Sequence, residues 1–202
     1  MNKARSPKRQ AILDAARQAF IAHGYSGASM EAIAEAAPVS KPTLYSHFKG
    51  KQELFAAVIA GQCEGLVNTL SRAQADHPDP LSGLKAIVRA FVDLIYSHEG
   101  LNLYRLIISE QQTFPELGAL FFRSGPEPVL KLLSSYLTEL HARRALNIPD
   151  VETSSTLLVG MLKGVEHFRC LLGLQEGLSD AEKVRIIDAA VALFVKGHAH
   201  AV

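Results

Sequence analysis

The sequence is short of the residues that usually declare a chemistry. It has two cysteines, Cys63 and Cys170, far apart and in no C-x-x-C arrangement. Neither a disulfide framework nor a cysteine-based zinc site is expected from them; both are expected as small buried hydrophobes. No apolar run reaches the roughly 18 residues that a membrane helix needs. The basic opening, MNKARSPKRQ, is not followed by the apolar stretch and cleavage site of a secretory signal. We therefore expect a cytoplasmic chain with no membrane partner. Strand-like alternation, internal repeats and low-complexity segments are missing too. So are a nucleophile elbow, a phosphate-binding glycine loop and a metal signature. His198-x-His200 lies in a tail expected to fray. Glu31 and Glu35 form an i,i+4 carboxylate pair on a helix with no catalytic companion. No catalytic residue, metal or cofactor is expected, and an enzyme is set aside.

Helical periodicity is abundant. Apolar residues make up 48% of the 202-residue chain, ample for a core. Ile12, Ala15, Ala16, Ala19 and Phe20 line one face of a first helix, capped by Ser6 and Pro7 and ended by Gly24. Ser29 caps a short second helix and Ser40 a third, which runs to about Phe48. A longer helix follows over 51–75, then the breaker DHPDP (76–80). Further helical segments lie near 81–97, 101–112, 115–124, 128–145, 151–173 and 180–197. The expected fold class is all-α, with about nine helices.

The net charge is only +1, but it is unevenly placed. Residues 1–51 carry eight lysines and arginines against three acids, a net of +5; the rest carries thirteen against seventeen, a net of −4. That asymmetry points to a small anion-binding module on a neutral-to-acidic body. Lys3, Arg5, Lys8 and Arg9 crowd the start of the first helix, where their charge opposes the helix dipole. A polyanion partner accounts for them better than stability does.

The first three helices have the size of a helix-turn-helix unit, whose second helix enters the DNA major groove. On the third helix Leu44 and Phe48 share an inward face. Pro42 and Ser46 point away, flanked by Thr43, Tyr45 and His47. Hydroxyls, a phenol and an imidazole can meet phosphates and base edges, whereas a plain solvent face would carry more Glu, Lys and Gln.

Residues 11–55, AILDAARQAFIAHGYSGASMEAIAEAAPVSKPTLYSHFKGKQELF, resemble the N-terminal domain of TetR/AcrR-type transcriptional regulators. The likeness runs through Ile12, Phe20, Gly24, Tyr25, Ile33, Val39, Ser40, Thr43, Leu44, Tyr45, His47, Phe48 and Lys51. Residues 103–133 also look like the AefR-like subgroup. The resemblance implies a DNA-binding domain over 1–50 and a ligand-binding and dimerisation domain over 51–202, connected by helix 51–75. Ser40, Lys41, Thr43, Tyr45 and Ser46 are implied at the groove. Tyr45, His47, Lys51 and the Ser29 end of the second helix are implied on phosphates. Many family members place glycine where this chain has Pro38. Proline fixes φ near −65° and disfavours the helical region for the residue before it. The second helix is therefore expected to end by about Ala36, and the turn to avoid a left-handed residue.

Reading a palindromic double-stranded operator needs two heads, so a homodimer is expected. Its interface is sought on the last two helices, at Leu158, Met161, Leu162, Val165, Ile187, Val191 and Phe194. A pocket for an unidentified small-molecule effector is sought at Tyr104, Arg105, Phe114, Phe121, Phe122, His167 and Phe168. The expected function is a repressor released by its ligand. The alternatives are a ligand-independent DNA-binding or scaffold protein, or an activator, on the same fold.

Overall fold

The computed structural model describes residues 6–76 and 80–200. They form ten helices and no strand: α1 (Pro7–Gly27), α2 (Met30–Ala36), α3 (Lys41–His47), α4 (Lys51–Asp76), α5 (Pro80–Ile95), α6 (His98–Glu110), α7 (Glu116–Ser124), α8 (Pro126–Ala142), α9 (Val151–Leu171) and α10 (Asp180–Gly197). Lys3, Arg5 and the centre of DHPDP lie outside the described residues.

Helix starts follow local chemistry. Ser6, Ser29 and Ser40 each accept a hydrogen bond from the backbone N–H three residues on, at 3.2, 3.1 and 3.3 Å. Each bond satisfies one of the donors that a helix start leaves open. Pro7 and Pro42 fall in first turns, where the missing N–H had no helical partner to lose. Gly24 breaks α1 with φ 75 and ψ 171, a conformation that residues with a Cβ avoid.

Packing divides the chain into two compact units, Met1–Gln62 with Asn102–Gly125, and Cys63–Leu101 with Pro126–Val202. These packing units do not follow a cut at residue 50. The start of α4, most of α6 from Asn102 on and all of α7 pack with the first three helices. In the first unit Ile12, Phe20, Ile33, Leu44, Leu54, Phe55 and Leu117 are wholly buried. An aromatic cluster ties its helices together, with Phe20 and Tyr25 edge-on to Phe55 at 5.1 and 5.3 Å and Phe114 edge-on to Tyr25 at 5.2 Å.

The second unit is built from α5, α8, α9 and α10 around Leu84, Val92, Leu137, Leu158 and Cys170. Cys63 packs against the same core, and burial pushes its thiol up. Helix α9 is not straight. Gly164 sits at φ 53 and ψ −161, so the helical phase changes there. This corrects the interface expected on α9 and α10. Leu158, Leu162, Ile187 and Phe194 are buried core residues, 0–3% exposed. They hold the unit together and have no surface to offer a second copy. Val191 is half-buried. Met161 and Val165 do face outward, and Leu157, Phe168, Leu172 and Leu193 are more than half exposed beside them.

The tail is also better held than expected. His198 Nδ1 lies 2.8 Å from the Phe194 carbonyl and its Nε2 3.0 Å from Ser154 Oγ. Asn147 donates its N–H to the His198 carbonyl at 2.7 Å, and His200 Nε2 lies 2.9 Å from the Arg144 carbonyl. The two histidines close the α8–α9 loop against the end of α10.

Candidate nucleic-acid interface

Helix α3 lies on a floor made by its own Leu44 and by Phe48, 0% and 2% exposed, which share a core with Phe20 and Ile33. That burial turns the other side outward. Lys41, Pro42, Tyr45 and Ser46 are exposed, and Thr43 and His47 half-buried. Tyr45 is an exposed aromatic at 45%, an apolar ring with a polar tip of the kind that suits a wet interface.

The turn before α3 departs from expectation. Helix α2 ends at Ala36, as the proline requires. Yet Val39 N–H still reaches the Ala34 carbonyl at 3.0 Å, the six-to-one bond of a Schellman cap. Pro38 occupies the position that this cap gives to glycine, at φ 20, and Ala37 stays near the helical region at φ −87 and ψ 12. The expectation of a path without a left-handed residue is overturned. The chain keeps the glycine-type turn, and the ring, whose own preference is near −65°, carries the strain. The second bond of the cap cannot form, because proline has no N–H.

Several polar groups on this face are engaged within the protein. Ser40 Oγ and Thr43 Oγ1 are 2.8 Å apart, and Ser46 Oγ donates to the Thr43 carbonyl at 2.7 Å. Lys41 Nζ pairs with Glu31 Oε1 at 2.8 Å. The hydrogen bond from Lys41 holds the Glu31 carboxyl below the usual carboxylate range, and the same bond raises Lys41. Lys51 is clamped more firmly. Its ammonium donates to the carbonyls of Ser26 and Ala28 at 3.3 and 3.0 Å and lies 4.7 Å from the centre of the Tyr25 ring. Arg9 lies over Phe48, 5.1 Å from the ring centre. Lysine spacing in the sequence gives no sign of these pairings, which depend on how α1 and α2 pack on α3 and α4. Glu110 accepts from Ser26 N–H at 3.3 Å beside the Gly24 break.

The residues sought for an effector pocket are split between the units. Tyr104, Arg105, Phe114, Phe121 and Phe122 belong to the first, His167 and Phe168 to the second. Phe114 and Phe121 pack against the first unit's core. Phe122 and Phe168 are 49% and 61% exposed, and His167 is on the buried side of α9. The second unit has instead a small apolar cavity of about 10 Å³ between α5, α8 and α9. Ile87, Phe91, Leu133, Leu158 and Val159 are among its walls. Periodicity could have marked these residues as core but not as walls of a void. Among the described residues, no three His, Cys, Asp or Glu side chains gather as a metal site. No described helix is long and apolar enough to cross a membrane.

A short helix held outward by a three-helix core, on an all-helical chain, defines a helix-turn-helix regulator. The family described as bacterial regulatory proteins, tetR family, matches residues 12–58. The AefR-like transcriptional repressor C-terminal domain matches residues 82–199. The chain belongs to the TetR family of transcriptional regulators and is not an enzyme. It is 39% identical over 116 residues to the HTH-type transcriptional activator FasR of Mycolicibacterium smegmatis, covering 57% of this chain and 52% of FasR. The chain thus spans about half the length of that relative. A TetR-family regulator from Mesorhizobium loti superposes with a TM-score of 0.82 at 30% identity, over 99% of this chain and 100% of that one. The flavonoid-responsive regulator FrrA gives 0.74 at 31%, over 96% and 98%.

Proposed function

We propose that this chain is a dimeric repressor that reads a palindromic operator with α3 and leaves it when a small apolar effector binds. The reading rests on one observation: α3 turns Lys41, Thr43, Tyr45, Ser46 and His47 away from a floor formed by Leu44 and Phe48. In this reading residues 1–50 bind DNA and 51–202 bind ligand and partner copy. Ser40, Lys41, Thr43, Tyr45 and Ser46 enter the groove. Ser29, His47 and Lys51 hold phosphates, Lys51 through exchange of its carbonyl partners. The exposed apolar side of α9, with Leu193 of α10, meets the second copy. An exposed patch of this kind is what a closed symmetric pair covers.

The effector enters between α5, α8 and α9. Ligand pockets are commonly about 300–1,000 Å³, so this cavity has to open around its guest. Its apolar walls favour a hydrophobic molecule, and FrrA, by its name, answers to flavonoids. Effector binding lowers operator affinity by its differential affinity for the two states. Footprinting the purified protein on genomic DNA tests the reading. A protected palindrome is the expected result, and no protected palindrome would sink it. FasR is named an activator, which favours a second reading in which the same head recruits transcription. A promoter reporter with the gene deleted separates them: expression rises on deletion for a repressor and falls for an activator.

A further inference from the structure

The break in α9 is clasped from both sides by two consecutive residues at the end of α5. At about 100° per residue, a straight helix would set the Leu158–Leu162 pair and the His167–Cys170 pair roughly 130° apart. All four are buried, at 0–5% exposure. Gly164 allows this, because its φ of 53 and ψ of −161 belong to a region open essentially to glycine alone. Such a break opens the carbonyls just before it. Tyr96, 4% exposed, places its hydroxyl 2.6 Å from the Lys163 carbonyl and 3.2 Å from that of Leu162. Beyond the break, the His167 ring stands edge-on to Tyr96 at 5.5 Å and makes a hydrogen bond to the backbone of Ile95.

The apolar surface of α9 also falls into two parts. Leu157 and Met161 lie before Gly164, and Val165, Phe168 and Leu172 after it, all exposed. Their relative direction depends on the break. We infer that Tyr96 is a positioning residue for self-association. By holding the opened carbonyls it fixes the angle at Gly164, and with it the shape of the face that a second copy meets. The inference rests on the dimer reading above.

The test compares wild type, Tyr96→Phe and Gly164→Ala as full-length chains, by sedimentation velocity over a concentration series. Far-UV circular dichroism is recorded at the same temperature, well below each melting point. Phenylalanine keeps the ring on His167 and loses only the hydroxyl. The expected result is a dimer dissociation constant at least tenfold higher in both variants, with helix content unchanged. A purely structural role would lower the melting temperature and leave that constant alone. Wild-type dimer affinity in Tyr96→Phe overturns the inference, whether or not Gly164→Ala folds. A wild-type chain that stays monomeric overturns the dimer reading itself, and the inference with it.

Discussion

Lys41 illustrates how a residue can be placed by the sequence and yet not be explained by it. Its position at the start of α3 marks it for DNA, but the folded chain pairs it with Glu31 at 2.8 Å. Both side chains are about half exposed, so the pair adds little to stability. In the proposed reading its effect is on binding, since the ammonium has to leave a carboxylate before it can meet DNA. Glu31→Gln is expected to raise non-operator DNA affinity and to steepen the salt dependence by about one phosphate equivalent. Fluorescence anisotropy at several salt concentrations reads both. Pro38 gives the opposite lesson. The sequence located it in the turn, and proline's φ preference argued for a new path. The path is set elsewhere, by Leu44 and Phe48 locked against Phe20 and Ile33, so the strain stays in the ring at φ 20. Pro38→Gly is expected to stabilise the protein by about 1–2 kcal/mol. Relief of strain of order 1–3 kcal/mol outweighs the added freedom of the unfolded chain, up to about 1 kcal/mol. Chemical denaturation measures the gain, and the operator footprint should not change.

Element by element, the serine-capped starts of helices were legible and the course of α9 was not. Serine caps and first-turn prolines act through their immediate neighbours, so Ser6, Ser29 and Ser40 mark true starts. A glycine inside an apolar-periodic segment carries no such local signature. It is tolerated in a continuous helix at a cost of roughly 1 kcal/mol, and only the pull of Tyr96 and the core shows that Gly164 breaks the phase. Reading α9 as straight put Leu158 and Leu162 on the same face as Val165. His167 is the group that titrates behind this break. Burial, with Lys163 nearby, lowers it from 6.5 to about 4. Between those values the unfolded chain binds a proton that the native one refuses. Stability therefore rises with pH across this window and is lost as pH falls through it, by at most about 1.4 kcal/mol per pH unit. Urea unfolding at pH 6.5 and pH 5 should show a loss of about 1.5 kcal/mol from this group. His167→Gln should flatten that part of the dependence.

At the scale of the molecule, the reading head was legible because its pattern is dense and local. Its partition from the rest was not, because α6 and α7 join the first unit through contacts remote in sequence, such as Phe114 with Tyr25. The residues sought for a pocket fall in two packing units for the same reason, and the void between α5, α8 and α9 belongs to a packing that no single helix shows. Pairing has a sharper consequence that can be measured. One α3 gives few base contacts, so in the proposed reading specificity depends on two heads engaging together. The second engagement is intramolecular, and when geometry permits it adds about 10²–10⁴ in affinity without any new contact. Phe168, 61% exposed on α9, sits where a charge is harmless to the monomer and costly when buried unpaired against a second copy. Phe168→Asp should therefore sediment as a monomer with unchanged helix content. On a half-site oligonucleotide it should bind as wild type does, because α3 is intact. On the full palindrome wild type should gain at least a hundredfold over the half-site, and Phe168→Asp should gain almost nothing. Equal gains for the two proteins would place the pairing surface somewhere other than this face of α9.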